Sequence, residues 1–276
     1  MDTRLPRSKK EKVIACAGRS CELCTINSLV MKFEEGCLIV KLHYDTEFGN
    51  QFSYFSGVKN IDNYSNYGKK GHGALLTYEA SIEGAKAEIQ DKIEFNGDNK
   101  VTREILFSPI GNSHLFDFVS RYVVETKSSK AYIAGKTIHH ESSNIYHQYL
   151  SNDCLVEVPL CDDKKIVFKE NSASIEPYFD NVFYLRDESS DKGVYRWIVH
   201  HRKIVKLEES ELIVRGCNPR IEGVLPFNKI IPKFMKKPLF RIREKRYPNF
   251  PIMAVGVANV SGFILKLKTD IEIVNV

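Results

Sequence analysis

Three residues on and beside one apolar stretch have the types that metal-dependent hydrolysis uses. Residues 123–127, Val-Val-Glu-Thr-Lys, end in Glu125 and Lys127, and Asp117 lies eight residues upstream. Alternation along a strand puts Glu125 and Lys127 on one side. Two carboxylates can share a Mg²⁺ ion that lowers the pKa of its bound water. Asp117, Glu125 and Lys127 are therefore the candidate catalytic residues of this stretch.

The same stretch resembles the second motif of the restriction-nuclease superfamily, in which an apolar strand ends in Glu-x-Lys. The resemblance implies a metal-dependent nuclease or phosphodiesterase, on a mixed sheet that is packed against helices. In it Asp117, as the upstream acid, and Glu125 would hold one divalent cation, and Lys127 would orient or activate the attacking water. One alternative stays open, since Glu125 and Lys127 can form an ordinary same-face ion pair. A chain this poor in helix also departs from the superfamily's architecture.

Histidines recur in stretches that look like strands. They are His139, His140, His147, His200 and His201. Adjacent residues of a strand point to opposite faces, so one histidine of each pair is expected to point inward. If the two strands pair, His140 and His200 can meet as a general acid and base, or bind a metal with a nearby carboxylate. The alternative is that the inward histidines are hydrogen-bonded core residues.

A cysteine cluster near the start of the chain has the spacing of a small zinc finger. Cys21 and Cys24 are followed by Cys37 and then by His43. Thiolates and imidazole are the ligands that Zn²⁺ prefers. Residues 37–43 look like a strand, whereas a finger carries its last ligands on a helix, so free core thiols are the alternative. Residues 16–24 also resemble the opening of some His-Asn-His nucleases, although the histidine-rich core of those proteins does not follow.

Positive charge is concentrated in the basic segment, defined here as residues 220–247. Its basic residues are Arg220, Lys229, Lys233, Lys236, Lys237, Arg241, Arg243, Lys245 and Arg246. With two glutamates the segment has a net charge of +7, more than the +5 of the whole chain. Phenylalanine, tyrosine and proline are interleaved, and Arg202 and Lys203 extend the basic character upstream. Cations beside aromatic rings suit a phosphate backbone or stacked bases. They also suit an acidic protein surface or a solvated face.

The composition indicates which class of protein this is but says little about its function. The chain has 276 residues, of which 43% are hydrophobic and 27% charged, which is typical of a globular protein. No apolar run reaches the roughly 20 residues that a membrane helix needs, and no signal peptide is visible. The seven cysteines do not form a disulfide framework. We therefore expect a protein of the cytoplasm or nucleus, without membrane contact. A viral or mobile-element origin is a further expectation, although no motif carries it.

Short strands dominate the predicted elements. Residues 182–186 and 195–206 flank a polar tip and predict a hairpin with a long loop. The clearest helix candidate is 78–93, where alanines and three-to-four spacing favour a helix. The fold class is mainly β to strand-rich α+β, with antiparallel sheets in a sandwich or barrel and about two to three helices. One domain is expected over 1–276, with a weak seam at 96–99 as the alternative.

Three functions follow from these features. The first is an intracellular, strand-rich protein that binds a polyanion, most directly nucleic acid, through the basic segment. The second is a nuclease or phosphodiesterase that uses Mg²⁺ with Asp117, Glu125 and Lys127, or a metal-free acid–base pair of histidines. The third is a non-enzymatic protein–protein interaction module. The sequence leaves the oligomeric state and the identity of the ligand open.

Overall fold

Two antiparallel sheets make up the described part of the protein. A computed structural model describes residues 12–16, 19–24, 28–35, 38–50, 53–57, 64–70, 73–96, 99–142, 147–151, 154–171, 178–188, 193–206, 212–215 and 254–276. Every strand pairing between them is antiparallel. The predicted strand-rich, antiparallel class is therefore confirmed.

The first sheet has twelve strands. They are β1 (Lys12–Cys16), β2 (Arg19–Cys24), β3 (Ser28–Glu35), β4 (Leu38–Gly49), β5 (Tyr54–Ser56), β10 (His114–Leu115), β11 (Asp117–Thr126), β14 (His147–Leu150), β17 (Phe179–Glu188), β18 (Tyr195–Val205), β19 (Leu212–Arg215) and β20 (Ala254–Asn259). Its main order is β1-β2-β3-β4-β11-β18-β17-β14, with β5 on β4 and with β20 beside β10, β18 and β19.

The second sheet has nine strands. They are β6 (Tyr64–Lys70), β7 (Gly73–Ile82), β8 (Ala85–Phe95), β9 (Lys100–Pro109), β12 (Lys130–Ile133), β13 (Lys136–His139), β15 (Leu155–Pro159), β16 (Lys164–Glu170) and β21 (Leu265–Asn275). Their order is β13-β12-β15-β16-β21-β9-β8-β7-β6.

The helix predicted over 78–93 is wrong, because these residues form the hairpin of β7 and β8. Side chains along β8 alternate between buried and exposed from Ala85 to Phe95, which is the period of a strand. Gly84 sits in the two-residue turn with a φ of 77°, a conformation that glycine adopts readily. The alanines that favoured a helix fill the small space between the sheets. No α-helix occurs among the described residues, and accordingly none there is long and apolar enough to cross a membrane.

The predicted hairpin at 182–206 is confirmed and lies in the middle of the first sheet. β17 and β18 pair from Phe179↔Val205 to Glu188↔Arg196. β18 then pairs with β11 on its other side over ten residues, and β11 pairs with β4. A seam at 96–99 was the alternative; of these positions Asn96 and Asn99 are described, and the strands on either side, β8 and β9, pair directly.

The core between the sheets is divided in two by a layer of polar side chains. The two apolar clusters both draw on β4, β11, β17 and β18 of the first sheet and on β8, β9 and β21 of the second. On the first sheet, the residues between the two clusters are the cross-strand neighbours Thr46, Ser120 and His201. On the second sheet they are the cross-strand neighbours Arg103, Thr269 and Glu170. We call these six residues and Asp91 the polar layer.

Candidate functional site

The candidate site lies on the outer face of the first sheet, the face that points away from the second sheet. Even-numbered residues of β4 and β11 and odd-numbered residues of β18 reach the core, so their neighbours in sequence face outward. Strand pairing sets these outward residues in ranks. One rank is Gly49, Asp117 and Ile204, the next is Glu47, Val119, Arg202 and Val182, and the third is Asp45, Arg121, His200 and Tyr184.

Two ion pairs cross this face diagonally. Nε of Arg202 donates to Oδ2 of Asp117 at 2.6 Å, and both side chains are buried. Nη1 of Arg121 lies 3.5 Å from Oε1 of Glu47. The guanidinium of Arg202 also lies 5.9 Å from the ring centres of Phe116 and Tyr184. Of the residues predicted from sequence, the structure thus brings Asp117 and Arg202 into direct contact.

His200 is the predicted residue at the centre of the face. Its ring packs on Tyr184 with 4.1 Å between ring centres, and the Tyr184 hydroxyl lies 3.3 Å from its Nε2. The Nδ1 atom of His200 is buried and has no hydrogen-bond partner, and the same is true of Oδ1 of Asp117. Most buried polar atoms in proteins are satisfied, so two such atoms on one face point to a missing partner.

Burial shifts the protonation of three groups on this face. It raises the pKa of Glu47 to about 7, against the opposing effect of Arg121, and it raises the pKa of Asp117 although Arg202 lowers it. Burial also holds the pKa of His200 well below its usual range, and Arg121, Arg186 and Arg202 lower it further. At neutral pH the imidazole is therefore neutral and Glu47 is only partly ionised. Such perturbed groups collect at functional sites more often than elsewhere.

The outward positions around His200 hold arginines and no acid. Arg121 and Tyr184 are its cross-strand neighbours, Arg202 lies two residues along β18, and Arg186 is diagonal to it on β17. Eight outward positions on β11, β17 and β18 surround His200, and the four not yet named carry buried valine or isoleucine. We call Arg121, Arg186 and Arg202 the arginine ring. Arg121 and Arg186 keep 25% and 19% of their side chains exposed, so the ring is open to solvent on those two sides.

Glu125 and Lys127 lie far from Asp117. Asp117 begins β11 and Glu125 comes near its end, so eight residues of about 3.3 Å separate them by about 26 Å. Two carboxylates at that distance cannot share one cation. Glu125 is exposed and lies 3.7 Å from Nε of Arg196, and Lys127 lines a surface groove of about 610 Å³ with Glu157 and Lys165.

His140 does not meet His200. Its ring lies against Tyr195 and Trp197, with 5.1 Å between ring centres in each case, and its Nε2 is 3.3 Å from the carbonyl oxygen of Arg196. Arg196 precedes His200 by four residues on β18, which corresponds to about 13 Å along the strand. The structure therefore does not form the acid–base pair of His140 and His200.

Lys203 and His201 point the other way, into the sandwich. Nζ of Lys203 donates to Oδ1 of Asn181 at 2.8 Å, and the side chain is buried. Nδ1 of His201 lies 2.8 Å from Oγ1 of Thr269, and its Nε2 is 3.9 Å from Glu170. Arg202 is also buried on the outer face, so neither Arg202 nor Lys203 is a surface cation. The prediction that one histidine of the 200–201 pair points into the sandwich agrees with His201.

Three of the four predicted zinc ligands lie in described strands, and the fourth does not. Cys37 lies outside the described residues, Cys21 and Cys24 lie in β2, and His43 is a half-buried residue of β4. Among the described side chains, no three His, Cys, Asp or Glu residues come together as metal ligands would.

The basic segment also lies outside the described residues. This holds for Lys229, Lys233, Lys236, Lys237, Arg241, Arg243, Lys245 and Arg246. Its points of departure and return are described. β19 and β20 pair from Leu212↔Val257 to Arg215↔Ala254, and β20 touches β18 at Val205↔Gly256. Arg215 and Ala254, the described residues on either side of 216–253, are therefore cross-strand neighbours.

Sequence reasoning missed Asp45, Glu47, Arg121 and Tyr184. A signal existed, since charged residues two or four apart, such as Asp45 and Glu47, share one face of a strand. What the sequence did not show is that β4, β11 and β18 are adjacent, because more than 60 residues separate each from the next.

The fold and the site together define an antiparallel two-sheet protein with a buried, charged cluster on one outer face. Comparison with protein-family models and with curated proteins finds no match to this chain.

Proposed function

We propose that the protein binds a polyanion, with nucleic acid as the first candidate, through the basic segment 220–247. The observation that carries the proposal is the segregation of charge. Residues 216–253 hold nine basic and two acidic residues, a net charge of +7, so the rest of the chain has a net charge of −2. The excess positive charge of the chain therefore lies entirely within this stretch of the sequence.

The anchor of this segment supports the proposal. Four residues of β19 pair with β20, so Arg215 and Ala254, which flank the segment in the sequence, lie opposite each other on adjacent strands about 5 Å apart. Phosphate neutralisation by such a segment releases counterions, and this makes binding depend steeply on salt. The cytoplasm or nucleus, where nucleic acid is abundant, is the compartment that the proposal assumes.

A Mg²⁺-dependent nuclease built on Asp117, Glu125 and Lys127 is not part of this proposal. The carboxylates are about 26 Å apart on one strand, and Asp117 is paired with Arg202. Cleavage of oligonucleotides in the binding experiment would be an outcome that points to a different site.

The experiment compares two double charge reversals in a mobility-shift assay over a range of salt. Lys236→Glu with Lys237→Glu changes the basic segment, and Lys130→Glu with Lys169→Glu makes the same change in net charge at exposed positions of the second sheet. In the first variant the affinity should depend less steeply on salt. The magnitude of the slope of log K against log salt should fall by about 0.9 for each phosphate contact that is lost. The second variant should bind like the parent protein.

Two results would contradict the proposal. One is the absence of any shift at low salt for both single- and double-stranded oligonucleotides. The other is an equal loss of affinity in both variants, which would show that only net charge matters. An acidic protein that binds the parent but not the first variant, with no oligonucleotide shift, would instead establish the interaction module.

A further inference from the structure

We infer that the surface groove at the end of β15 binds a small zwitterion, in which an apolar body joins an ammonium and a carboxylate group. Free amino acids and short peptides have this chemistry. The inference goes beyond the proposed function, because no residue of the basic segment lines the groove. Its basis is a concave surface of ligand size that presents a cation and an anion without partners among the described residues.

The groove is large enough for such a ligand. Its volume of about 610 Å³ lies within the range of small-molecule sites, which is about 300–1,000 Å³. Tyr132, Glu157 and Lys165 point away from the first sheet here, because their neighbours in sequence fill the core between the sheets. They belong to β12, β15 and β16, which pair in that order, so three adjacent strands form the floor.

Hydrogen bonds within the protein hold the walls of the groove. Oγ1 of Thr126 donates to the carbonyl oxygen of Pro159 at 2.6 Å, and this contact sets Lys127 beside the end of β15. In the turn that follows, the amide of Leu160 donates to the carbonyl oxygen of Lys164 at 2.8 Å. A site that is already formed requires less ordering when its ligand binds.

The charges of the groove select a ligand with both signs. Nζ of Lys165 lies 2.6 Å from Oε2 of Glu157, so these two charges compensate each other. Lys127 and Asp162 are exposed, and neither forms an ion pair with another described residue. The carboxylate of a zwitterion would pair with Lys127, and its ammonium group would pair with Asp162. A simple anion would be repelled by Asp162, and a simple cation would be repelled by Lys127.

The apolar side chains of the groove select the body of the ligand. Tyr132, Pro159 and Leu160 are half-buried, and Val276 is exposed beside them. An aliphatic side chain in contact with these residues would remove apolar surface from water. Trileucine is therefore expected to bind more tightly than triglycine, although the two peptides have the same end charges.

The test measures the alkylation rate of Cys161, an exposed free thiol that lines the groove. Full-length protein is treated with iodoacetamide, an uncharged reagent, and mass spectrometry follows the peptide that contains Cys161. Trileucine with free ends should slow this alkylation saturably, and triglycine should require a higher concentration. An alkylation rate that millimolar trileucine leaves unchanged would overturn the inference.

Peptides with blocked ends locate the two charges. Lys127→Gln should weaken the binding of free trileucine about threefold, and should not change that of the C-amidated peptide, which lacks the carboxylate. Asp162→Asn should likewise weaken the free peptide and not the N-acetylated one. Each variant is compared with its own alkylation rate without peptide, and circular dichroism checks its folding.

Lys169→Gln is the matched control. Lys169 is exposed on the strand that carries Lys165, and it does not line the groove. Its replacement should leave the protection by every peptide unchanged. An equal loss in this variant, or an equal loss for free and blocked peptides in Lys127→Gln, would refute the assignment.

Two further arms identify the source of the ligand and separate the two proposals. Protection of Cys161 by leucine at a lower concentration than by trileucine would identify a free amino acid, and the reverse order would identify a peptide. Lys236→Glu with Lys237→Glu should weaken oligonucleotide shifts and leave the protection by trileucine unchanged. Failure of one proposal is thereby distinguished from failure of the other.

Discussion

Arg103 and Asp91 form a two-point ion pair in the middle of the sandwich. Nε of Arg103 donates to Oδ1 of Asp91 at 3.0 Å, and Nη2 donates to Oδ2 at 2.6 Å. The other three N–H groups of Arg103 donate to Thr46, to Ser120 and to the carbonyl oxygen of Asp45. All five donors of this guanidinium are therefore satisfied, although it has no exposed surface.

Removal of one partner of this pair should destabilise the protein strongly. Asp91→Asn is expected to lower the free energy of unfolding by about 3–5 kcal/mol, because the charge of Arg103 then stays buried without compensation. Replacement of both charges, Asp91→Leu with Arg103→Met, should cost less than the single change. Urea unfolding curves measure both. A loss below about 1 kcal/mol for Asp91→Asn would show that the pair contributes little.

Acid should destabilise the protein through His201. Burial lowers the pKa of His201 to about 4, while Lys203 lowers it further and Glu170 opposes the shift. Its ordinary value near 6.5 returns on unfolding, so the unfolded chain binds the proton first as pH falls. Stability from this residue is complete above about pH 6.5 and is lost as pH falls to about 4, by about 3 kcal/mol.

The variant His201→Gln isolates this effect. It can keep a hydrogen bond to Thr269 and it does not titrate, so the difference in unfolding free energy between parent and variant should change between pH 6.5 and 4 and stay constant above that range. A difference that is independent of pH would contradict the assignment. Such a result would mean that folding leaves the pKa of His201 unchanged.

Glu47 should make the folding stability depend on pH in the opposite direction. Burial raises its pKa from 4.5 to about 7, so between these values the folded protein holds a proton that the unfolded chain has released. Its contribution is complete below about pH 4.5 and is lost as pH rises through 7, by about 3 kcal/mol. Glu47→Gln removes the titration, and unfolding curves of parent and variant should diverge over that range. Parallel pH profiles would disprove the shifted pKa.

The hairpin turn of β12 and β13 offers a stabilising substitution. Ala134 and Gly135 have φ values of 49° and 72°, and this left-handed conformation costs an alanine about 1–2 kcal/mol. Ala134→Asn should therefore raise the free energy of unfolding by about 1 kcal/mol, since asparagine tolerates this region. Gly135→Ala is the opposite control and should lower it. Thermal unfolding checks both, and a drop in stability with Ala134→Asn would refute the argument.

Local patterns in the sequence predicted the sheets but not every element. Alternation and a polar tip were enough for the hairpin at 182–206, because both strands lie close in the chain. The same reasoning failed at 78–93, where alanine was taken as a helix former. In this protein Ala80, Ala85 and Ala87 are buried small residues of strands, so tertiary packing overrode intrinsic propensity.

The candidate site was less predictable because its parts come from distant strands. Asp117, His200 and Arg202 were singled out separately, for a metal site, an acid–base pair and a basic patch, and none of those reasons anticipated their common face. Adjacent histidines were expected to face opposite sides, yet the sequence did not show that both sides of β18 are buried. Pairing of β18 with β11 decides which charges meet, and no short-range pattern encodes it.

The polar layer also makes sliding of one strand along its neighbour costly. A strand that shifts by two residues keeps the same faces, so alternation alone leaves long strands such as β9 and β21 free to misalign. A shift of that size would move the Arg103 position to that of Val101 or Ile105, inside an apolar cluster and away from Asp91. We therefore expect descendants of this sequence to exchange the residues at 91 and 103 together, as a correlated pair.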